Sequence, residues 1–310
     1  TGPAIGRPKS ATFRLGDIVG VDLMAQMGRN LRAALQHDPQ IAVFRQVDFI
    51  EDMVKRGWWG EKKSQGFYQR VKTEKGRQIL TLDYKTMEYR PQQKPQFASL
   101  EAVSKISNRA ERIRTLCAAA DRAGVFAWKH LSSVLCYAAD RLTEIADDVV
   151  TVDNAMKWGY NWELGPFEIW DALGVRETAD RLTREGRAVP AVVRALLAVG
   201  KTSFYEERAG QRAFFDPAKG GYVTEVEAPK VIHLPWLHKA SKVVLSNPGA
   251  SLLDLGDGVA CLEFHTKMNA LDEDISNIVS EALDRVEKDF DGLVIGNEAD
   301  NFSAGANLFM

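Results

Sequence analysis

The chain has 310 residues, 45% hydrophobic and 26% charged, a balance that leaves room for two or three globular domains and excludes a disordered or fibrous polymer. Its net charge of −2 hides an asymmetry: residues 245–310 carry 13 acids against 3 bases, and the preceding part 37 bases against 29 acids. The break suggests separate units; a basic body can attract a phosphorylated ligand or nucleic acid, whereas interleaved charges such as NRAERIRT read as solvated surface.

Apolar runs such as Val192–Val199 are broken by Arg194 and fall short of the ~18 residues a membrane span needs. The opening TGPAIGRPKS has no charged-then-apolar leader pattern, so a cytoplasmic chain is expected. Cys117, Cys136 and Cys261 show no C-x-x-C spacing and read as buried thiols. The five histidines are dispersed, none in an H-E-x-x-H arrangement, and no metal is expected.

From the N-terminus, Val19, Leu23, Met27, Leu31 and Leu35 recur every four residues and predict a helix with one buried stripe. The stretch from Tyr84 to Val103, YKTMEYRPQQKPQFASLEAV, is polar and contains prolines; it ends near Ser99, a candidate helix cap, which places a boundary at about 95–105. A second helix is predicted from Leu131, Val134, Leu135, Ala138, Leu142 and Ile145. A linker is expected at VEAPKVIHLPWLHKASK, residues 226–242. Beyond it GVACLEFH reads as a strand, Ile275, Ile278, Val279, Ala282 and Val286 as an amphipathic helix, and GLVIG as another strand, one β-α-β unit.

The helical part contains an internal repeat. FRLGDIVGV from Phe13 and FEIWDALGV from Phe167 share F-x3-D-x2-G-V, and the later segments GWWGEKKSQGFY and VGKTSFY share a glycine, a basic residue and Phe-Tyr. Tandem homologous domains explain this economically. Asp17 and Asp171 are expected to cap or hydrogen-bond at helix ends, and Trp158, Trp162 and Trp170 to make core or inter-repeat contacts. VGKTS resembles the end of a phosphate-binding G-x-x-x-x-G-K-[ST] loop, but Ala195 replaces the first glycine and a helix precedes it where a strand is required; Gly200 reads as a helix C-cap.

These residues carry a family resemblance. TGPAIGRPKSATFRLGDIVGVD resembles the start of the C-terminal helical domain of 3-hydroxyacyl-CoA dehydrogenases, and VDNAMKWGYNWELGPFEIWDALGV resembles the second copy of that domain in multifunctional fatty acid β-oxidation enzymes. ASLLDLGDGVACLEFHTKMNALD with LVIGNEADNFSAGANL is similar to the first third of an enoyl-CoA hydratase, the crotonase fold. The fold implied is mainly α, with two tandem dehydrogenase C-terminal-type domains, 1–100 and 101–235, followed by a partial α/β crotonase segment, 236–310.

The resemblance implies a bifunctional parent that hydrates 2-enoyl-CoA and oxidises 3-hydroxyacyl-CoA with NAD. This sequence contains no strand followed by G-x-G-x-x-G, so the Rossmann domain, the dehydrogenase acid/base pair and the rest of the hydratase site are expected elsewhere in such a parent, and this stretch alone is expected to be inactive. Matching the crotonase motif, the N–H of Ala306 would serve as one oxyanion donor. Gly305 and Ala304 would give the loop its close approach, and Lys267 and the backbone of Ala270, beside Asn269 and Leu271, would flank the CoA moiety. The partners implied are an acyl-CoA thioester, the remaining Rossmann and crotonase regions, and in monofunctional relatives a homodimer. A reading from another class is a stand-alone helical interaction module.

Overall fold

A computed structural model of the chain describes residues 1–45, 47–73, 76–93, 95–208, 211–225, 231–299 and 301–306. Roughly half of it is helical, and it divides into two compact units, Thr1–Phe204 with Phe215–Gly221, and Tyr205–Phe214 with Tyr222–Met310. No helix among the described residues is long and apolar enough to cross a membrane.

The first unit begins with α1 (Ala11–Val19) and α2 (Val21–Ala34), parted by Gly20 alone, followed by α3 (Asp48–Lys55). Gly20 has φ +112°, a conformation that admits glycine but crowds a β-carbon. An antiparallel sheet follows, β1 (Tyr68–Thr73), β2 (Gly76–Asp83) and β3 (Glu88–Pro91), in the order β1-β2-β3. Val21, Met53, Phe67 and Leu82 form its core against the helices. The expected polar stretch from Tyr84 thus contains a strand: Leu82, Tyr89 and Met87 supply enough apolar side chain to seat it there.

Next come α4 (Ala98–Val103), α5 (Arg109–Ala118), α6 (Arg122–Ile145) and α7 (Val149–Tyr160). Asn108, Asp121 and Asp148 cap the last three by accepting the amides of Glu111, Gly124 and Thr151 at 2.9, 2.9 and 2.7 Å. Ser99 is not a cap; it lies inside α4, and its amide and hydroxyl both bond to Asp121. Then α8 (Pro166–Leu173) and α9 (Val175–Arg184) are again parted by a single glycine, Gly174 at φ +87°, and followed by α10 (Ala191–Ala198). Residues 205–224 add a second three-stranded sheet, β4 (Tyr205–Arg208), β5 (Gln211–Asp216) and β6 (Gly221–Thr224), in the order β4-β5-β6. The sequence of elements from α1 to β3 therefore recurs from α8 to β6. Gly57 after α3 and Gly200 after α10 even share φ +74°.

Two expectations are corrected here. The stripe on α1 and α2 is helical but not buried: Val19, Leu23, Met27 and Leu31 are each at least 40% exposed, and Val21 and Ala25 face the core instead. Periodicity identifies an apolar face without saying what covers it. Trp158 is 81% exposed, because α7 turns Val149, Val150, Val152 and Asp153 inward and leaves Trp158 on the opposite side. Trp170 does lie in the core, and Trp162 lies under the Arg7 guanidinium at 3.8 Å, a contact between the two helical stretches.

In the second unit, α11 (Leu234–Lys239) occupies part of the expected linker, whose first five residues, 226–230, lie outside the described ones. The sheet comprises β7 (Val243–Ser246), β8 (Ala250–Gly256), β9 (Val259–Phe264) and β10 (Gly292–Gly296) in the order β10-β9-β8-β7, with α12 (Glu273–Asp289) between β9 and β10. β9 and β10 are parallel and β8 and β9 antiparallel, so the β-α-β unit read from the sequence sits in a larger mixed sheet. Alternation sends Ala260, Leu262 and Phe264 of β9 toward Ile275, Ile278 and Ala282 of α12, and Cys261 toward Leu234 of α11. Asp272 caps α12 through the Ile275 amide at 3.1 Å.

Candidate functional site

The site residues singled out in the sequence meet in one junction of the second unit. Between β9 and α12 the chain makes a tight turn at Lys267–Asn269, in which Met268 and Asn269 both have left-handed backbones, φ +59° and +51°. Two such non-glycine residues in succession cost of order 1–3 kcal/mol each and persist only where their surroundings hold them. Here the holding is done by Asn269, which is 3% exposed: its side-chain NH2 donates to the Asn301 carbonyl at 2.8 Å, and its carbonyl accepts the Ser303 hydroxyl at 2.7 Å. The loop beyond β10 is thereby laced to the corner.

The remaining bonds of the junction show which groups are free for a ligand. The amide of Ala304 donates to the Met268 carbonyl at 3.0 Å, that of Gly305 to Ser303 Oγ at 3.0 Å, and that of Ala270 to the Lys267 carbonyl at 3.4 Å. The Ala270 carbonyl accepts the Thr266 hydroxyl at 2.6 Å. Leu271 pairs with Ala306 in a parallel bridge through its own amide and the Gly305 carbonyl, 2.9 Å. Among the described residues, none of these bonds uses the Ala306 N–H, and alternation along an extended strand turns that group away from Leu271. Gly305 holds φ +86° beside it, and Lys267 is exposed at the same corner. Asn269, the residue that fastens the two loops, was legible in the sequence only as a neighbour of the corner; its identity as a tether needed the fold.

The first unit carries a different kind of constellation. Asp17, 2% exposed, accepts the amides of Phe67 and Tyr68 at 2.8 and 2.9 Å; burial pushes its carboxyl above the ordinary range while the two amides pull it down. Asp171 accepts the Phe204 amide at 2.6 Å. Both aspartates act as ties between a helix and the start of a sheet. A cleft of about 450 Å³ beside Asp17 is lined by Lys9, Arg14, Glu61, Tyr68 and Arg70, and Glu61 pairs with both arginines, which balances much of its charge internally.

Comparison with known proteins gives these two regions their context. Residues 4–70 match the family model of the 3-hydroxyacyl-CoA dehydrogenase, C-terminal domain. That stretch includes α1–α3, Asp17 and the Phe67-Tyr68 pair it holds. The whole chain is 43% identical over 310 residues to a "Probable 3-hydroxyacyl-CoA dehydrogenase" of Bacillus subtilis (strain 168), covering 38% of that protein. It is 22% identical over 306 residues to a protein of Rickettsia felis named as a fatty acid oxidation complex trifunctional enzyme, again covering 38% of it. A "Probable 3-hydroxyacyl-CoA dehydrogenase" of Deinococcus radiodurans is 36% identical over 77 residues, 25% of this chain and 21% of that one. The chain thus spans about two fifths of the length of the curated relatives it matches along its whole extent. No solved structure matches it.

Proposed function

We propose that this chain is part of a 3-hydroxyacyl-CoA dehydrogenase/enoyl-CoA hydratase of fatty acid oxidation, in which residues 1–100 and 101–235 are tandem dehydrogenase C-terminal-type domains and residues 236–310 begin a crotonase domain. The observation that carries the dehydrogenase reading is the 43% identity to the Bacillus subtilis protein along all 310 residues. The recurring order of elements, with Asp17 on Phe67 and Asp171 on Phe204, supports the tandem assignment.

In this reading the apolar face left open by Phe13, Ile18, Leu23 and Met27 docks a nucleotide-binding domain of the parent and helps close its acyl-CoA cleft. NAD would be held there, since this chain has no glycine-rich strand-turn-helix to receive a pyrophosphate. The hydratase role falls to the Asn269-centred junction. Its Ala306 amide would donate to the thioester oxygen as enolate charge develops, a term worth roughly 2.7–4 kcal/mol per donor. Lys267 and the backbone near Ala270, Ala304 and Gly305 would flank the CoA moiety.

The test is to express the reading frame that encodes this chain and to follow NADH formation from 3-hydroxybutyryl-CoA and loss of crotonyl-CoA absorbance. Both activities are expected, with Asn269→Ala lowering hydration and sparing the dehydrogenase. A protein that performs neither reaction would favour the rival reading, a helical interaction module presenting the open face of α1 and α2.

A further inference from the structure

His238 stands 25 residues before Glu263, which is itself two residues before His265, and the three come close together in the second unit. One ligand atom from each, a ring nitrogen from either histidine and a carboxylate oxygen from Glu263, all fall within 4.8 Å of one another. Strand alternation explains two of the three members: Glu263 in β9 and His265 just past its end are two residues apart and project to one face. The last turn of α11, packed on the same face through Leu234 and Cys261, brings His238 over them. Cys261 lies deeper, among Leu234 and Leu253, so the set is two imidazoles and a carboxylate with no thiolate.

Three further observations fit a cation at this point. Glu263 is only 9% exposed, and a carboxylate so placed is held by hydrogen bonds or a positive partner, a role a cation can fill. His238 Nε2 stands 2.6 Å from Glu263 Oε2, whereas ligands in a tetrahedral shell with bonds of about 2.0–2.1 Å stand about 3.3 Å apart, so a small outward movement of one side chain opens the seat. His265 Nε2 meets Ser251 Oγ at 2.8 Å, and that hydroxyl is itself held by Ser246 Oγ at 2.8 Å. In the tautomer whose Nε2–H donates to that hydroxyl, the other ring nitrogen keeps its lone pair, the arrangement that orients a histidine toward a metal.

We propose that His238, Glu263 and His265 form a binding site for a divalent transition-metal ion of the Zn²⁺ type. Two neutral imidazoles and one carboxylate suit Zn²⁺, Co²⁺ or Ni²⁺, and disfavour Mg²⁺ and Ca²⁺, which select all-oxygen shells. His265 is exposed and His238 partly so, which leaves a fourth position for water. The dispersal of histidines along the chain concealed this set, because two of its members share a strand face and the third arrives on a separate helix.

The experiment is equilibrium dialysis of the chelator-washed full chain against Zn²⁺ alone, with metal measured directly, and a parallel titration with Co²⁺ read by visible absorption. One ion per chain is expected, with the intense d–d bands of a four-coordinate nitrogen and oxygen site. The double variant His238→Gln/His265→Gln should lose at least about 100-fold in affinity, more than loss of an outer partner costs, while Ser251→Ala should lose about 10–100-fold. His37→Gln, a histidine of the first unit that is not a member of the cluster, should bind as the parent chain does, and circular dichroism establishes that each variant is folded. Stoichiometry unchanged in the double variant would overturn the proposal. So would a parent chain that gives no such Co²⁺ spectrum, a result that depends on no variant and would leave an ordinary histidine–glutamate ion pair.

Discussion

Asp17 accepts the backbone amide of Phe67 at 2.8 Å, and through it α1 is fastened to the first strand of its sheet. The same tie joins Asp171 to Phe204 at 2.6 Å, and in both places the next contact also recurs: the Phe67 carbonyl accepts the Leu82 amide at 2.9 Å, and the Phe204 carbonyl accepts the Phe215 amide at 2.8 Å. A carboxylate, a Phe backbone and the following strand thus form one bonded unit, twice. Removing either carboxylate strands buried donors, at about 1–3 kcal/mol for each. Asp17→Ala and Asp171→Ala should therefore each lower stability, Asp17→Ala by freeing the Phe67 and Tyr68 amides and Asp171→Ala by freeing at least that of Phe204. The two ties share no partner, so chemical denaturation of the double variant should give the sum of the single effects within about 0.5 kcal/mol.

Gly60 packs its α-carbon against the backbone of Asp17. A β-carbon there would lie 2.3 Å from the Asp17 carbonyl oxygen, and the residue already has φ +95°. Gly60→Ala should therefore cost about 2 kcal/mol or more, from backbone strain and overpacking together. Gly57→Ala is the control, since its φ of +74° is strained for alanine but nothing lies within 4 Å of the added carbon. Thermal melts should rank Gly60→Ala well below Gly57→Ala; equal losses would remove the role given to the close approach.

His130 supplies a pH dependence with a definite sign. Arg7 Nη1 can only donate, so the 2.9 Å contact requires a neutral His130 with Nε2 as acceptor. Burial, and after it the Arg7 charge, lower the imidazole to about 4. With the folded value depressed, the unfolded chain binds the proton first as pH falls, so stability present above about 6.5 is lost progressively toward pH 4. Melting temperatures should fall between pH 7 and pH 5 in the parent chain and fall less in His130→Gln. An identical drop in both would show that other groups govern this window.

Asn269→Ala should release the loop after β10 without unfolding the sheet. The change removes the bond to the Asn301 carbonyl and the local preference for a left-handed backbone, about 1–3 kcal/mol in all. Hydrogen exchange should quicken at the amides of Leu271 and Ala304, which bond across the junction, while amides in the middle of β9 keep their protection. Unchanged exchange at those two positions would show that the backbone bridge alone holds the loop.

Short-range pattern determined much of this molecule. The spacing of Ile275, Ile278 and Ala282 gives α12 and its buried face, GVACLEFH and GLVIG give β9 and β10, and the shared F-x3-D-x2-G-V marks the two aspartates whose ties recur. These features were legible because helix and strand periods are local properties of the chain. The tertiary structure decided what each face meets. It left Leu23 and Met27 open although their spacing is that of a core, placed Trp158 outside and Trp170 inside, and turned the polar stretch around Tyr89 into a strand. It also gathered Asn269 with Asn301, and His238 with Glu263, across 32 and 25 residues. Periodicity specifies which side chains share a face, but contacts over such separations depend on how whole elements pack, and no short window of sequence contains both partners.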